Sequence, residues 1–538
     1  MKKAVSVFCL LFAVVFCSFG QDDFQKPDIV AGPKVKGSKK MLLERIISYD
    51  GGGLFVVKKK RGRLHPKNPT IYFEYVDDSM SPAIKMKFKE KYQGKRLKYE
   101  GVVVKDGKPY VIASGVNNKQ QKRYLCVNSF RGETLQPIGE WRKIAEFNYS
   151  SQLVRKLGEF GFEVSADSTR LLVYYKEPYQ KDENEKFSFA VFDADFNKLW
   201  GREVELPDSM GLFNVEDYGL DNMGNVYFLG KEYEGKRSSF LLNIEKDYRY
   251  TLLTFSVLVD SVVQRPIELE GKLVREAKIF VRGNGDVMCA GMYAHSDEKL
   301  FMGAYALEGV FVIQLHGEDL SVEFESTKEF DIDLITQNMF KAQKKAAMKR
   351  EAEGGINGLF NYKIKNIINR KDGGVYFVAE HQYVVVSDTR TKPGELGGVT
   401  VDYVFKEILV TSLSSNFEIE WVKVIPKSQS SKKREIVYLS YFPFLRDDKL
   451  YFIYNDHKKN RDLIRDGIVV SFNAGRKSEA VLLSVDPHGT IRKEAFIPYK
   501  DIGVIIHPTV ITWLSDNELI MYGARKRSKR YVKLKLFE

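Results

Sequence analysis

The sequence has few cysteines and, after its first residues, no long apolar run. Of its four cysteines, Cys9 and Cys17 lie in an N-terminal leader, which leaves Cys126 and Cys289 for the rest of the chain. Each of these two lies inside an apolar run, so we expect two separate buried thiols, with a disulfide as the alternative. No later run reaches the ~18 apolar residues of a membrane helix, so no transmembrane segment is predicted.

Familiar catalytic signatures are missing as well. The chain has no Gly-x-Ser-x-Gly, no His-Glu-x-x-His and no Walker loop. These motifs place a nucleophile, a zinc ion or a nucleotide phosphate, and without them the sequence predicts no catalytic residue, no metal and no cofactor. Whether the protein is an enzyme stays open at this point, with a non-enzymatic role favoured.

The N-terminus has the pattern of a secretory signal peptide. A basic start, Met1–Lys3, precedes the apolar run Ala4–Phe16, and the small residues Ser18 and Gly20 come just before Gln21. This order predicts a signal peptide over residues 1–20 and export to the periplasm or cell surface. Lipid attachment within the leader is the disfavoured alternative, because a bulky phenylalanine precedes the cysteine concerned.

One short pattern recurs along the chain. A tight turn leads directly into a run rich in β-branched and aromatic residues, as in Asp372–His381, and this predicts a turn followed by a buried strand. The other copies are Gly52–Val57, Asp106–Ile112, Ser168–Val173, Met223–Leu229, Asn284–Cys289, Asp447–Ile453 and Asp516–Met521. A polar turn also recurs before a later strand, so each repeat is predicted to be an antiparallel sheet of four strands.

The repeats divide residues 41–538 into eight units. We place them at 41–92, 97–148, 160–207, 213–258, 272–331, 358–427, 436–498 and 504–538. The last unit has only three predicted strands, Pro508–Leu514, Leu519–Gly523 and Tyr531–Phe537. Residues 21–40 form a polar linker that contains Asp28–Ala31, and we expect this short apolar piece to supply the fourth strand and close a ring.

This order of strands and turns resembles the β-propeller superfamily over nearly the whole chain after the leader. The resemblance implies an all-β fold with eight four-stranded blades. Seven blades and a tandem of β-sandwiches are the alternatives. Specific repeat signatures such as Trp-Asp repeat ends and Asp boxes are missing, so the resemblance assigns no functional residue.

One segment departs from the repeat. Asp333–Glu353 has the composition of a helix with several lysines, and Gly354 and Gly355 follow as a stop signal. We therefore predict a helical insertion at 333–353 between the fifth and sixth units. It is either a packed connector with a solvated basic face or a helix that docks a partner.

Aligning the second strands of the units predicts one polar face. Residues at the ends of these strands would form a rim, extended by the insertions 386–400 and 472–478. The binding candidates are Lys60, Glu177, Glu232, Glu380, His381, Arg390, Lys392, Asp456, His457 and Arg525. Such a charged rim suits reversible, salt-sensitive recognition.

The charge balance indicates the kind of partner. The formal net charge is +13, and outside the cytoplasm a basic surface favours an anionic glycan or an acidic envelope protein over nucleic acid. The sequence therefore predicts a non-enzymatic, exported propeller that binds protein or glycan in the bacterial cell envelope. The alternatives are a hydrolase or lyase with a polar site at the central channel, and a component of a larger, membrane-associated outer-membrane assembly.

Overall fold

The computed structural model describes residues 27–48, 52–60, 69–148, 158–177, 186–206, 212–233, 248–259, 261–295, 305–388, 399–432, 435–461, 469–475 and 477–536. The predicted signal peptide and the start at Gln21 lie outside these residues. So do Arg390 and Lys392, with most of the predicted loop 386–400.

The first half of the chain forms β1 to β20. The N-terminal strands are β1 (Asp28–Ala31) and β2 (Val35–Lys36), and blade 1 is β3 (Met41–Ser48), β4 (Leu54–Lys60), β5 (Thr70–Val76) and β6 (Pro82–Lys87). A small hairpin, β7 (Lys91–Tyr92) and β8 (Lys95–Arg96), leads to blade 2, which is β9 (Lys98–Lys105), β10 (Lys108–Asn117), β11 (Lys122–Ser129) and β12 (Arg142–Asn148). Blade 3 is β13 (Glu159–Val164), β14 (Arg170–Lys176), β15 (Lys186–Asp193) and β16 (Lys198–Glu205); blade 4 is β17 (Leu212–Leu220), β18 (Val226–Tyr233), β19 (Tyr248–Phe255) and β20 (Val262–Ile267).

The second half forms β21 to β37 and the helices. Blade 5 is β21 (Leu273–Val281), β22 (Val287–Ala294), β23 (Gly309–Leu315) and β24 (Val322–Glu329), followed by α1 (Ile332–Thr336) and α2 (Lys341–Ala352). Blade 6 is β25 (Tyr362–Asn369), β26 (Val375–Asp388), β27 (Val399–Leu413) and β28 (Ile419–Ile425), with β29 (Gln429–Lys432) added to β27. Blade 7 is β30 (Tyr441–Arg446), β31 (Lys449–His457), β32 (Ser478–Val485) and β33 (Ile491–Pro498); α3 (Tyr499–Ile502), β34 (Ile505–Ile506), β35 (Thr512–Ser515), β36 (Glu518–Arg525) and β37 (Ser528–Lys535) complete the chain.

These sheets form an eight-bladed β-propeller, as the sequence predicts. Each of the eight recurring turns leads into the second strand of a blade. The turns have the left-handed backbone that the pattern requires, with φ of 87° at Gly373 and 98° at Gly285. In blade 6 the carboxylate of Asp372 accepts the N–H of Gly374 at 3.0 Å, which fixes the turn before β26.

The hydrophobic core is a ring of layers between blades. Side chains alternate along each second strand, so one set faces the preceding blade and the other set faces the following blade. In β18, for example, Phe228 packs against blade 3 whereas Leu229 packs against blade 5. Each of the eight junctions between neighbouring blades has its own cluster of buried residues, including the junction of blade 8 with blade 1.

The ring closes through the N-terminus, as predicted. β1 pairs antiparallel with β37, with Asp28 opposite Lys535 and Ala31 opposite Val532. Blade 8 differs from the prediction at its inner edge, where β34 and β35 replace one continuous strand. Pro508 starts a short 3-10 turn between them and supplies no N–H, so the strand is interrupted there.

The insertion between blades 5 and 6 is two helices instead of the single helix predicted. The hydroxyl of Thr336 donates to the carbonyl of Ile332 at 2.7 Å at the end of α1. Phe340 is extended, and its N–H donates to Oε1 of Gln343 at 3.2 Å, which begins α2 anew. In α2 only Ala347 is buried. Among the described residues no helix is long and apolar enough to cross a membrane.

Cys126 and Cys289 are buried free thiols, as expected. They belong to different layers of the core, Cys126 between blades 1 and 2 and Cys289 between blades 4 and 5. Burial raises the pKa of the Cys126 thiol to about 12 and raises that of Cys289 as well. Both side chains therefore remain unreactive thiols in the folded protein.

Candidate functional site

The first strands of successive blades lie against one another and surround the centre of the ring. β13, β17, β21 and β25 contact each other in that order. In a propeller the innermost strands line the central channel. Polar residues on these four strands therefore meet at the channel although they are far apart in the sequence.

Glu163, Asp217 and Lys278 form a cluster that we call the channel cluster. They come from β13, β17 and β21, respectively. Nζ of Lys278 lies 3.7 Å from Oδ1 of Asp217, and Oδ2 of Asp217 accepts the N–H of Ile279 at 3.1 Å. Asp217 is thereby held in one orientation by the next blade. Glu163 is exposed, close enough to the other two for their charges to affect its ionisation.

The environment of Glu163 shifts its ionisation towards neutral pH. Its surface reaches solvent, yet it lies where inner strands converge, so protein atoms replace much of the water that would hydrate its charge. This desolvation and the charge of Asp217 raise the pKa of Glu163 to about 7, although Lys278 acts against them. Burial also raises the pKa of Asp217, against the effects of Lys278 and of backbone hydrogen bonds.

A carboxylate also links the inner strands of blades 5 and 6 through an ion pair and a backbone hydrogen bond. Oε2 of Glu276, on β21, lies 2.7 Å from Nζ of Lys363, and its Oε1 accepts the N–H of Ile364 at 3.3 Å. Lys365 follows on β25, and burial lowers its pKa although Glu380 and Glu276 act to raise it. Carboxylates and lysines thus alternate around this part of the channel.

The inner strands have a recurring β-bulge that helps to position these charges. In five blades the first strand carries one extra residue opposite its neighbour, and that residue is charged. The extra residues are Glu44, Glu100, Glu216, Arg275 and Lys365. Bulges redirect side chains and are frequent near functional sites.

A second cluster lies outside the channel, in a cavity of about 1010 Å³ between the two helices and blade 6. Nδ1 of His381, on β26, is 2.9 Å from Oε2 of Glu407, on β27. The register of β26 and β27 shifts at this point, so a bulge again accompanies the polar pair. We call this the histidine–glutamate pair.

Aromatic rings enclose the imidazole of His381. The ring centroids of Phe360, Tyr362 and Tyr383 lie 4.8, 5.2 and 5.3 Å away. Its Nε2 is buried and has no hydrogen-bond partner among the described residues. Burial acts to raise the pKa of Glu407, but the hydrogen bond and charge of His381 outweigh it and lower that pKa.

Besides His381, three predicted binding residues are buried. Glu380 is fully buried, with Nζ of Lys427 at 2.8 Å from Oε1 and Oγ of Ser440 at 2.8 Å from Oε2. Glu232 accepts both Nε and Nη2 of Arg249 at 3.0 Å. Asp456 accepts Nδ2 of Asn460 at 2.7 Å. These three carboxylates are buried and have local partners, so they do not contribute to an open rim, and a binding role for them stays a prediction.

The remaining predicted residues lie at strand ends. Lys60 is exposed at the end of β4, Glu177 is half-buried just after β14, and Arg525 lies 4.7 Å from the ring centroid of Tyr499. Nδ1 of His457 accepts the N–H of Lys459 at 3.2 Å, and burial and Lys477 lower its pKa. A shared binding role for these positions stays a prediction.

The alignment of second strands missed the channel cluster because Glu163, Asp217 and Lys278 lie on first strands. It also missed Glu407, which lies on a third strand. One signal was available for the first strands, since a charged residue interrupts the apolar alternation at each of their bulges. These charged residues have no fixed spacing from the recurring turns, so the sequence alone does not identify them as bulges.

No family model matches the sequence, and no curated protein matches it. Solved structures resemble it in fold. The polysaccharide lyase Uly1 is 10% identical, with a TM-score of 0.35 over 94% of this chain and 100% of the lyase. The β-propeller domain of the Trilobed protease from Pyrococcus furiosus is 12% identical, with a TM-score of 0.34 over 86% of this chain and 98% of that domain. An α-L-arabinanase from Penicillium chrysogenum is 11% identical, with a TM-score of 0.28 over 57% of this chain and 98% of the arabinanase.

The prediction of a non-enzymatic scaffold is contradicted by these comparisons. The solved structures that resemble it in fold include those of a polysaccharide lyase, an α-L-arabinanase and, in two cases, an α-L-arabinofuranosidase from Fusarium graminearum. The lack of a linear catalytic motif does not decide the question, because a site on a fold can be assembled from single residues on separate elements.

Proposed function

We propose that the protein is a glycan-cleaving hydrolase whose site is the channel cluster. The observation that supports this most strongly is an accessible carboxyl group, that of Glu163, with a pKa near 7 in the central channel. A group that is close to half protonated at neutral pH can both give and take a proton, which is what general acid–base catalysis requires.

Glu163 and Asp217 have different surroundings, and this difference suggests their roles. Glu163 is the general acid that protonates the glycosidic oxygen as the bond to the leaving sugar breaks. Asp217, fixed by Lys278 and the N–H of Ile279, is the carboxylate that supports the developing positive charge at the sugar carbon or activates the attacking water. Two carboxyl groups with such divided roles are typical of glycoside hydrolysis.

The histidine–glutamate pair is less suited to act on a large substrate. His381 is only 5% exposed, and aromatic rings surround its imidazole. A general base must reach the proton that it abstracts. Glu163 satisfies this requirement without any rearrangement, whereas His381 does not.

Lysines near the channel favour an acidic glycan as the substrate. Lys278, Lys363 and Lys365 lie on the inner strands beside the carboxylates, and cations lining a channel concentrate anionic ligands. We propose further that the protein acts outside the cytoplasm, in the periplasm or at the cell surface. The leader at residues 1–20 supports export.

The experiment is a screen of neutral and acidic polysaccharides with purified protein. Release of reducing ends without unsaturated products supports a hydrolase, whereas unsaturated sugar products would show elimination and contradict it. The decisive variant is Glu163→Gln, which we expect to lower the rate by roughly 10²–10⁴-fold. Glu159→Gln, an exposed glutamate on the same strand, is the matched control and should retain full activity.

A further inference from the structure

A small cavity lies where the ring closes, at the junction of blades 8 and 1. It measures about 270 Å³ and lies between β2, the first blade and the last two strands. Its charged lining residues on the blades are Lys58, Glu74, Lys85, Lys529 and Arg530, and the rings of Tyr522 and Tyr531 form part of its wall. We call it the closure cavity.

Positive charge exceeds negative charge around this cavity. Glu74 is the one carboxylate among the described residues that line it. Glu74 is already engaged, because it pairs with Lys58 and accepts the hydroxyl of Tyr531 at 2.9 Å. Lys529 and Lys85 have no carboxylate partner among the described residues of the cavity wall, and Nζ of Lys529 donates to the carbonyl of Met41 at 2.9 Å.

The ionisation of the lysines reflects this imbalance. Burial and the charges of Lys58 and Lys85 lower the pKa of Lys529 to about 8, with Glu74 acting weakly against them. Burial also lowers the pKa of Lys58 despite its contact with Glu74. Both shifts mean that the charged form of these ammonium groups is destabilised in the folded protein. A negatively charged ligand nearby would stabilise that form.

We propose that the closure cavity binds a small oxyanion, namely a sulfate, a phosphate or the carboxylate of an acidic sugar, through Lys529, Lys85 and Lys58. The volume supports this, since a water molecule occupies about 30 Å³ in the liquid and the cavity can hold a group several times larger. The site is separate from the channel cluster, and the inference does not depend on the proposed activity.

Occupancy of the cavity would also tighten the closure of the ring. Val35 and Lys36 of β2 line it, and they pair with Ser528 and Lys529 of β37. A ligand held between these segments binds only the closed form. Binding to the folded state alone raises stability by an amount that grows with ligand concentration.

The test is thermal unfolding of the full-length mature protein at neutral pH with sodium sulfate, phosphate or glucuronate, each compared with chloride at matched ionic strength. We expect a saturable rise in Tm with at least one of these anions. A larger response to glucuronate than to inorganic ions identifies an acidic sugar as the source, and the reverse identifies a free anion. Equal responses to all salts, chloride included, would overturn the proposal.

Variants connect the effect to the cavity. Lys529→Met should abolish the anion response without lowering Tm in chloride, because it removes excess charge. Lys85→Gln, at an exposed position, should weaken the response severalfold. Lys87→Gln, an exposed lysine two residues from Lys85 on the same strand, should respond like the wild type. An unchanged anion response in both Lys529→Met and Lys85→Gln would contradict the proposal.

The pH dependence gives a second readout. Lys529 loses its proton as the pH rises through about 8, so anion affinity should fall severalfold between neutral pH and about pH 9.5. Tyr522 and Tyr531 stay neutral over this range because burial and Glu74 raise their pKa values further. The other charged residues that face the cavity are Lys36, Lys58, Glu74, Lys85 and Arg530. Of these, Lys58 has a pKa that burial lowers, so its loss of a proton acts in the same direction as that of Lys529. Affinity that is constant over this range would exclude Lys529 as the anion ligand.

Discussion

Glu380, on the second strand of blade 6, and Glu163, on the first strand of blade 3, are two glutamates with opposite surroundings. Glu380 is fully buried and is held by Lys427 and Ser440, each at 2.8 Å. Glu163 is exposed to the channel, and among the described residues it forms no ion pair. Its pKa is raised to about 7 by desolvation and by Asp217.

This difference in burial and pairing distinguishes a carboxylate that stabilises the fold from one that is available for proton transfer. A buried carboxylate that is fully paired has no capacity left for a ligand, and its role is to join elements of the fold. A carboxyl group that is accessible, and whose charged form is disfavoured, stays available for proton transfer. Its unfavourable charge lowers the stability of the folded protein. Position at a strand end, which drew attention to Glu380 in the sequence, does not distinguish the two.

The largest effect is expected from Glu380→Gln. This change leaves Lys427 buried without its counter-charge, so the free energy of unfolding should fall by about 3–5 kcal/mol. Chemical denaturation at neutral pH measures it. The double variant Glu380→Gln/Lys427→Met removes both charges and should recover a large part of the loss. A single variant as stable as the wild type would show that the pair does not stabilise the fold.

His507 is also buried and titratable, but unlike Glu380 it carries its charge when it is protonated. Its ring lies 5.0 Å from the rings of both Tyr438 and Tyr522, and burial, followed by Lys529, lowers its pKa to about 3. Because this folded value is below the ordinary 6.5, the unfolded chain takes up the proton first. Stability is therefore lost as the pH falls from about 6.5 towards 3, by roughly a few kcal/mol.

The variant His507→Phe tests this dependence, since a phenyl ring fits the same aromatic surroundings without a titrating nitrogen. The difference in unfolding free energy between variant and wild type should grow in favour of the variant as the pH falls below 6.5. Acid-induced unfolding followed by circular dichroism measures it. A difference that does not vary between pH 7 and pH 4 would show that His507 titrates normally.

The fold could be predicted from the sequence because its signal is local and repeated. Each second strand follows a turn that needs a left-handed residue, as at Gly285 and Gly373, and such turns are visible in a single sequence. Ring closure followed from the missing fourth strand of the last unit, which Asp28–Ala31 supplies. The break in the helical insertion at Phe340 was not predictable, because the composition favours a helix throughout and the break is marked only by local hydrogen bonds of Thr336 and Phe340.

The candidate site could not be predicted in the same way. Glu163, Asp217 and Lys278 are brought together only by the contact of inner strands from three blades. Their ionisation depends on how much water the assembled channel leaves around each group, which no linear pattern records. Polar residues at strand ends such as Lys60 are easier to find in a sequence, but the structure shows that four of them, Glu232, Glu380, His381 and Asp456, are buried.

The central claim is that the channel keeps Glu163 close to half ionised at neutral pH. The most direct measurement is an NMR titration of protein labelled with ¹³C at the glutamate side-chain carboxyl, in which the Glu163 signal is assigned by its absence from the Glu163→Gln variant. We predict a midpoint near pH 7, lowered in Asp217→Asn because the neighbouring negative charge is gone. A midpoint near the ordinary 4.5, unaffected by Asp217→Asn, would contradict the account.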